Sequence, residues 1–251
     1  MADKSEDQRH ERRSKDSVNR PLPKRFYKTV SVSNDRSILL DDRLVKTPLK
    51  ANLTLPTSAL AEAVASEWRA QATHIDPALM PLTKLANTAI DRVGAERAHV
   101  AGEVMAFAGN DLVCYRAQEP AVFVALQAKA WDPVLDWAGA ALNAKFQVTK
   151  GVVHVAQPLA ALEAVEYHVS ALDDFALTGV HNLTTLTGSA LLALMLHNGA
   201  IAAEDAWAAA HVDEDFQISQ WGHDFEASAR RSHRKVEFDA TARFMALLTQ
   251  P

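Results

Sequence analysis

The stretch NLTLPTSALAEAVASEW, Asn52 to Trp68, changes its hydrophobic period partway along. Up to Leu55 apolar and polar residues alternate, the two-residue repeat of a strand. After Pro56-Thr57-Ser58 the repeat is helical: Leu60, Ala61, Val64, Ala65 and Trp68 share one stripe, with Glu62, Glu67 and Arg69 opposite. A strand-forming region therefore gives way here to a helix-forming one. Trp68, on the apolar stripe, reads as a core residue whose truncation costs roughly 3–5 kcal/mol.

Upstream, RFYKTVSVS (25–33) is alternating and rich in β-branched and aromatic residues, and reads as a strand. NDRS is a turn signal. ILLDDRLVKT (38–47) reads as a second strand bent near Asp41-Asp42, and NLTLPT as a short third, together an antiparallel meander. Downstream, Pro77 and Pro81 interrupt, and a helix beginning near Thr83 places Leu82, Leu85, Ala86, Ala89, Ile90 and Val93 on one face. Helical segments are expected at about 95–109, 119–143, 159–172, 183–198, 203–211 and 213–248, the last with a break near Ser232. FQVTKGVVHVAQP (146–158) reads as an extended connection. The expected class is α+β, with a small α+β part over residues 21–95 and a larger all-α part over 96–251.

The chain has 251 residues, 48% of them hydrophobic and 23% charged, and a formal net charge of -5. This is ordinary for a globular protein and gives no global attraction for nucleic acid. The longest apolar run, Ala190 to Leu196, is far too short to span a bilayer. One cysteine, Cys114, excludes an internal disulfide and a multi-thiolate metal site, and fits a reducing compartment. Its apolar flanks read as a buried, inert thiol. The first 20 residues mix acids with bases and lack a hydrophobic segment. They read as a disordered tail, neither a secretory signal nor an organelle presequence.

Motifs for chemistry are sparse. No phosphate-binding glycine pattern occurs. Thr187-Gly188-Ser189 has the residues to start a helix that offers N–H groups to an anion. The ten histidines form no H-E-x-x-H, and no two stand four apart. Nucleophile-elbow patterns are absent. The pairs Asp41-Asp42 and Asp173-Asp174 read as turn and cap residues, since adjacent side chains do not converge. Lys84, Thr88 and Asp91 form the polar side of their helix, either a solvated face or a groove between the two parts.

One stretch stands out: DEDFQISQWGHDFEA, Asp213 to Ala227, with five carboxylates, a histidine and three aromatics. On a helix Glu214, Gln217, Trp221 and Asp224 share a face, and Ile218 and Phe225 lie on a neighbouring stripe able to enter the core. The first-turn acids suit a helix start. A capped amphipathic helix with Trp221 in the core accounts for this pattern. So does a recognition face on which an aromatic anchors and the acids select a basic partner.

Several segments resemble one family: KRFYKTVSV (24–32), DDRLVKTPLKANLTLPT (41–57), LAEAVASEWRAQATHIDPALMPLTKLANTAIDRV (60–93), DLVCYRA (111–117), WDPVLDWA (131–138), TGSALLALML (187–196) and DEDFQISQWGHDFEA. The chain is similar, from about residue 22 onward, to the assembly chaperones that handle the α subunit of the catalytic head of F-type ATP synthase. The resemblance implies a small α+β domain followed by an orthogonal helical bundle, no enzymatic activity and no cofactor. The implied partner is the unassembled α subunit, bound on the surface that β later covers; no nucleic acid and no membrane insertion are implied, and the expected state is a monomer in the bacterial cytoplasm. It implies a role for an acidic residue near the C-terminal end. Glu214 is favoured and Glu226 comes next, with Asp215 and Asp224 in the same segment; Gln217 and Trp221 complete the expected partner-binding set. Two other readings compete: a carboxylate- and histidine-dependent hydrolase using His223, and a permanent structural subunit of a complex.

Overall fold

A computed structural model describes residues 21–151 and 153–250. The tail expected over residues 1–20 lies outside them. The chain opens with three short antiparallel strands in the order β1-β2-β3: β1 Val30–Val32, β2 Ile38–Leu40 and β3 Arg43–Leu44. Val30 pairs with Leu40, and Leu40 with Arg43. The meander is present, but its members differ from expectation. ILLDDRLVKT is a hairpin and not one bent strand, because Asp41 and Asp42 both adopt positive φ (46° and 62°), the mirror-image turn that matches strand twist. NLTLPT is not a strand of the sheet; it touches it through isolated bridges, Ser37 to Thr54 and Lys46 to Asn52. Residues 24–25 instead pair with 73–74, where the Arg25 N–H donates to the Thr73 carbonyl at 2.9 Å.

Helix α1 (Ser58–Ala70) starts where the period switches, with the Thr57 hydroxyl accepting from the Leu60 N–H. Helix α2 (Pro81–Thr88) has no cap of its own. Glu67, on the polar side of α1, supplies it, accepting from the N–H groups of Leu82 (2.7 Å) and Thr83 (2.8 Å). The chain passes through a π-turn (Ala89–Val93) into α3 (Gly94–Gly109). Then come β4 (Tyr115–Arg116), α4 (Ala121–Ala141), β5 (Thr149–Lys150), α5 (Leu159–Ser170), α6 (Asp174–Thr187), α7 (Ala190–His197), α8 (Ala203–Ala210), α9 (Val212–Trp221) and α10 (Phe225–Leu248). The 146–158 segment is largely extended, and its β5 pairs in parallel with β4. The architecture is α+β: a small antiparallel sheet, then a mainly helical remainder. Residue 95 falls within the nearly continuous helical run from Pro81 to Gly109.

Two expected helices split. Segment 183–198 is the end of α6 and all of α7, separated at Gly188, whose φ of +73° ends α6 in the left-handed region. Segment 213–248 breaks at Gly222 and not at Ser232, because Gly222 (φ +84°) stops α9 and the Asp224 carboxylate caps α10 by accepting from the Ala227 N–H at 2.7 Å. Asp173 likewise caps α6, accepting from the Ala176 N–H.

The core is one continuous cluster from Tyr27 to Met245, with α6 at its centre. Helices α2, α3, α7 and α10 all pack on α6. Gly179 sets the distance of closest approach. A Cβ there would collide with the Met245 thioether sulfur and lie 2.9 Å from its Cγ. The N–H groups at the start of α7, which the sequence offered to an anion, are met internally. Asp111, wholly buried, accepts from the Leu191 N–H at 3.0 Å and the Val113 N–H at 3.3 Å. Burial outweighs those bonds and lifts its carboxyl from 3.8 to about 6. Cys114 is buried beside it, its thiol pushed up to about 12 by burial and the Asp111 charge. This is the inert cysteine expected.

Two outcomes follow for stability. Gly179→Ala should lower the unfolding free energy by about 1–3 kcal/mol through overpacking. Gly139→Ala, at a helical site with open space around its Cα, should raise it by about 0.5–1 kcal/mol; urea titration of both checks the contrast. Asp111 binds its proton more tightly folded than unfolded. Its contribution therefore falls as pH rises from about 4 to about 6, by on the order of 3 kcal/mol in the limit. Asp111→Asn should flatten that slope, measured as unfolding midpoint against pH.

Candidate functional site: the acidic elbow between α9 and α10

Helix α9 carries Asp213, Glu214 and Asp215 in its first turn, where the helix dipole favours them. Each acid then meets a neighbour. Asp213 accepts from Gln127 Nε2 of α4 at 2.8 Å, and burial raises its carboxyl above the usual range. Asp215 holds Arg231 of α10 at 2.5 Å, and Glu214 lies 3.9 Å from the same guanidinium. Phe216 stacks on Phe123 of α4, centroids 4.3 Å apart and nearly parallel. Helix α9 is thus pinned to α4 on one side and to α10 on the other.

Beneath Glu214 sits buried His211. Its Nδ1 is 2.8 Å from the Trp207 carbonyl, so the proton resides there. Its Nε2 has no hydrogen-bond partner and is 4.0 Å from Glu214. Burial, with Arg231 and Arg234 nearby, holds its pKa below the usual value, so the ring is neutral.

Beyond this clamp the chain turns outward. Trp221 is 79% exposed and Phe225 90% exposed. Of the two readings of Trp221 the core one fails, and Phe225 does not enter the core: Gly222 ends α9 and leaves Phe225 in the first turn of a separate helix. The predicted face of Glu214, Gln217, Trp221 and Asp224 is likewise interrupted. Gln217 and Trp221 are exposed, Glu214 turns toward Arg231, and Asp224 is spent on its cap. Glu226 is exposed and pairs with Arg230 one turn on, at 2.5 Å. Arg231 was not singled out by sequence, because one arginine in a polar helix carries no local mark. The helix break was signalled, by Gly222 followed by a capping aspartate.

His223 is exposed at the elbow and does not line the grooves beside Trp68, Leu112 or His197. Among the described residues no group of three or more His, Cys, Asp or Glu side chains is placed to share a metal ion, and no helix is long and apolar enough to cross a membrane. Lys84, Thr88 and Asp91 line a groove, but its walls all come from residues 48–92; it is not a cleft between the two parts.

The class that emerges is an α+β protein, a small antiparallel sheet followed by a mainly helical remainder, with an exposed aromatic and acidic elbow between its last two helices. Solved structures of the same fold are known. Atp12 from Paracoccus denitrificans is 41% identical with a TM-score of 0.86, the match covering 90% of this chain and 98% of that one. An aspartate-to-lysine variant of P. denitrificans Atp12p gives 40%, 0.87 and the same coverage. The Atu1473 protein of Agrobacterium tumefaciens gives 41% and 0.86, over 94% of this chain and 90% of that one. The family profile for ATP12 chaperone protein matches residues 24–139. The chain belongs to the ATP12 chaperone family, the one its segments resemble.

Exposure of the elbow gives a check on its role in folding. Trp221→Ala and Phe225→Ala should each change stability by no more than about 0.5 kcal/mol, as surface substitutions do. Trp131→Ala, which empties a fully buried site and strands the Ala209 carbonyl, should cost about 3–5 kcal/mol. Thermal unfolding of the three variants separates them.

Proposed function

We propose that this protein is an assembly chaperone of the F-type ATP synthase. It binds the unassembled α subunit as a monomer in the bacterial cytoplasm and shields the surface that β later covers. Family membership supports the chaperone role, and the observation that carries the binding surface is the elbow. A large indole and a phenyl ring stand in solvent, flanked by Glu214, Asp215, Gln217, Asp224 and Glu226.

A lone α subunit would expose an apolar patch made for its partner, and such patches drive aggregation. Covering the patch requires area and a few strong anchors. Trp221 and Phe225 are anchors of that kind, since aromatic rings supply contact area at small conformational cost. The acids steer encounter and select arginine or lysine on the client. Glu226 is more open than Glu214 and Asp215, which already share Arg231. A client cation reaching them competes with that internal guanidinium. Two carboxylates face one arginine, so net negative charge remains to attract it. Release needs no bond-breaking: the β subunit displaces the chaperone by mass action.

Co-expression with the isolated α subunit should raise the soluble fraction of that subunit. Replacing Glu214 and Glu226 together with lysine should weaken its capture in a pull-down by tenfold or more, corresponding to about 1.4 kcal/mol or above. Capture equal to wild type would remove the acidic elbow from the interface. A permanent subunit would be found in the mature synthase; a chaperone would be absent from it.

A further inference from the structure

A second surface, in the N-terminal part, has the opposite character. Between the loop after β3 and helix α2 lies a groove of about 560 Å3, walled by Leu49, Trp68, Ile75, Met80 and Asn87. Leu49 is 71% exposed over its rim. That exposure is built in. Asp91 accepts from the Thr47 hydroxyl at 2.6 Å and the Leu49 N–H at 2.9 Å, and so holds the loop with Leu49 outward. Trp68, expected in the core, is only half-buried and forms one wall.

Two polar atoms of the lining are buried with no partner: the Trp68 indole N–H, a donor, and Asn87 Oδ1, an acceptor. Both atoms are closed to solvent, so a ligand in the groove meets them only when the lining side chains shift, and it then recovers the cost of leaving them unpaired. A peptide group carries both complements, a carbonyl for the indole and an N–H for the amide oxygen. The charges at the mouth also agree on one ligand. Lys84 has no ion-pair partner among the described residues, and Arg92 has only the exposed Glu96 at 3.6 Å. Asp91, the acid of the groove, is occupied by the loop.

We propose that this groove binds an extended segment of the client chain, an apolar side chain flanked by carboxylates. The proposal rests on the chaperone reading for the identity of the client but not for the chemistry of the groove. The protein then holds its client at two places of opposite charge, acids at the elbow and cations at the groove.

The test uses the full chain, labelled with 15N at tryptophan, and two synthetic peptides. Each is short and rich in valine and leucine, one flanked by glutamates and the other by lysines. The glutamate peptide should move the Trp68 indole resonance, assigned by its loss in Trp68→Phe, and bind roughly tenfold tighter than the lysine peptide. Lys84→Glu with Arg92→Glu, both on the surface, should reverse that order. Equal binding of the two peptides, no binding of either, or an unchanged order in the double variant would overturn the proposal. So would a concentration-dependent dimer in sedimentation that Lys84→Glu disperses, since a second copy would then fill the groove. The co-expression result bears on the client's identity alone, so the two can fail separately.

Discussion

The crossing of α10 over α6 is the contact on which the remaining geometry depends. Gly179 has no side chain, and Met245 fills the space a methyl group would need. Close approach there seats Phe238, Phe244 and Met245 in the core along one helix. The same helix extends in both directions to the surfaces of interest. Its N-terminal end carries Arg231, which pins α9, and Asp224, which fixes the elbow. Its C-terminal end meets the strand-bearing part, where the Thr57 hydroxyl donates to the Leu247 carbonyl at 2.8 Å. A shift at Gly179 would therefore reach both, because close-packed interiors transmit displacement in place of absorbing it.

The acids of this protein divide into those that hold the fold and those that remain available. Glu67 caps α2 from another helix, Asp91 holds the loop over the groove, Asp111 caps α7 from the interior, and Asp173 and Asp224 cap their own helices. Each satisfies backbone N–H groups that have no intrahelical partner. Sequence makes a carboxylate in a cap look like a carboxylate in a site. Asp224 is the instructive case: helical spacing grouped it with Glu214 and Trp221, but one glycine two residues earlier changes its neighbours. What stays at the surface, Glu226 with its exposed partner Arg230 above all, is recognised only once the caps have been accounted for.

That division also explains what was legible in the sequence. Periodicity located α1, the face of α2 and the switch from strand to helix, because local hydrophobic spacing decides them. Cys114 as a buried thiol and Asp173 as a cap followed from local chemistry. The misplaced features need more than one segment to define them. The Asp41-Asp42 hairpin was read as a bend, because nothing local distinguishes a curved strand from a mirror-image turn without glycine. Asp111 reaches α7 across 80 positions, and Arg231 reaches Asp215 across 16. Trp68 satisfies the helical stripe and still faces a groove, since a stripe shows which side of a helix turns inward but not how completely the neighbours cover it.

The internal pairing of Arg231 bears on how such a chaperone can let go. An elbow with bare carboxylates and two exposed aromatics would bind a basic, apolar surface tightly. It would also bind many wrong ones. With Arg231 seated between Glu214 and Asp215, a client cation gains only the difference between its own interaction and the one it displaces. The guanidinium is partly sheltered while the Asp215 carboxylate is half exposed, so the displaced interaction is itself a modest one. A contact made there discriminates by geometry while its net strength stays modest, as the proposed displacement by β requires. The acids beside Trp221 and Phe225 serve the unoccupied state too. Like charges on neighbouring copies repel, which opposes association of two copies through their exposed rings.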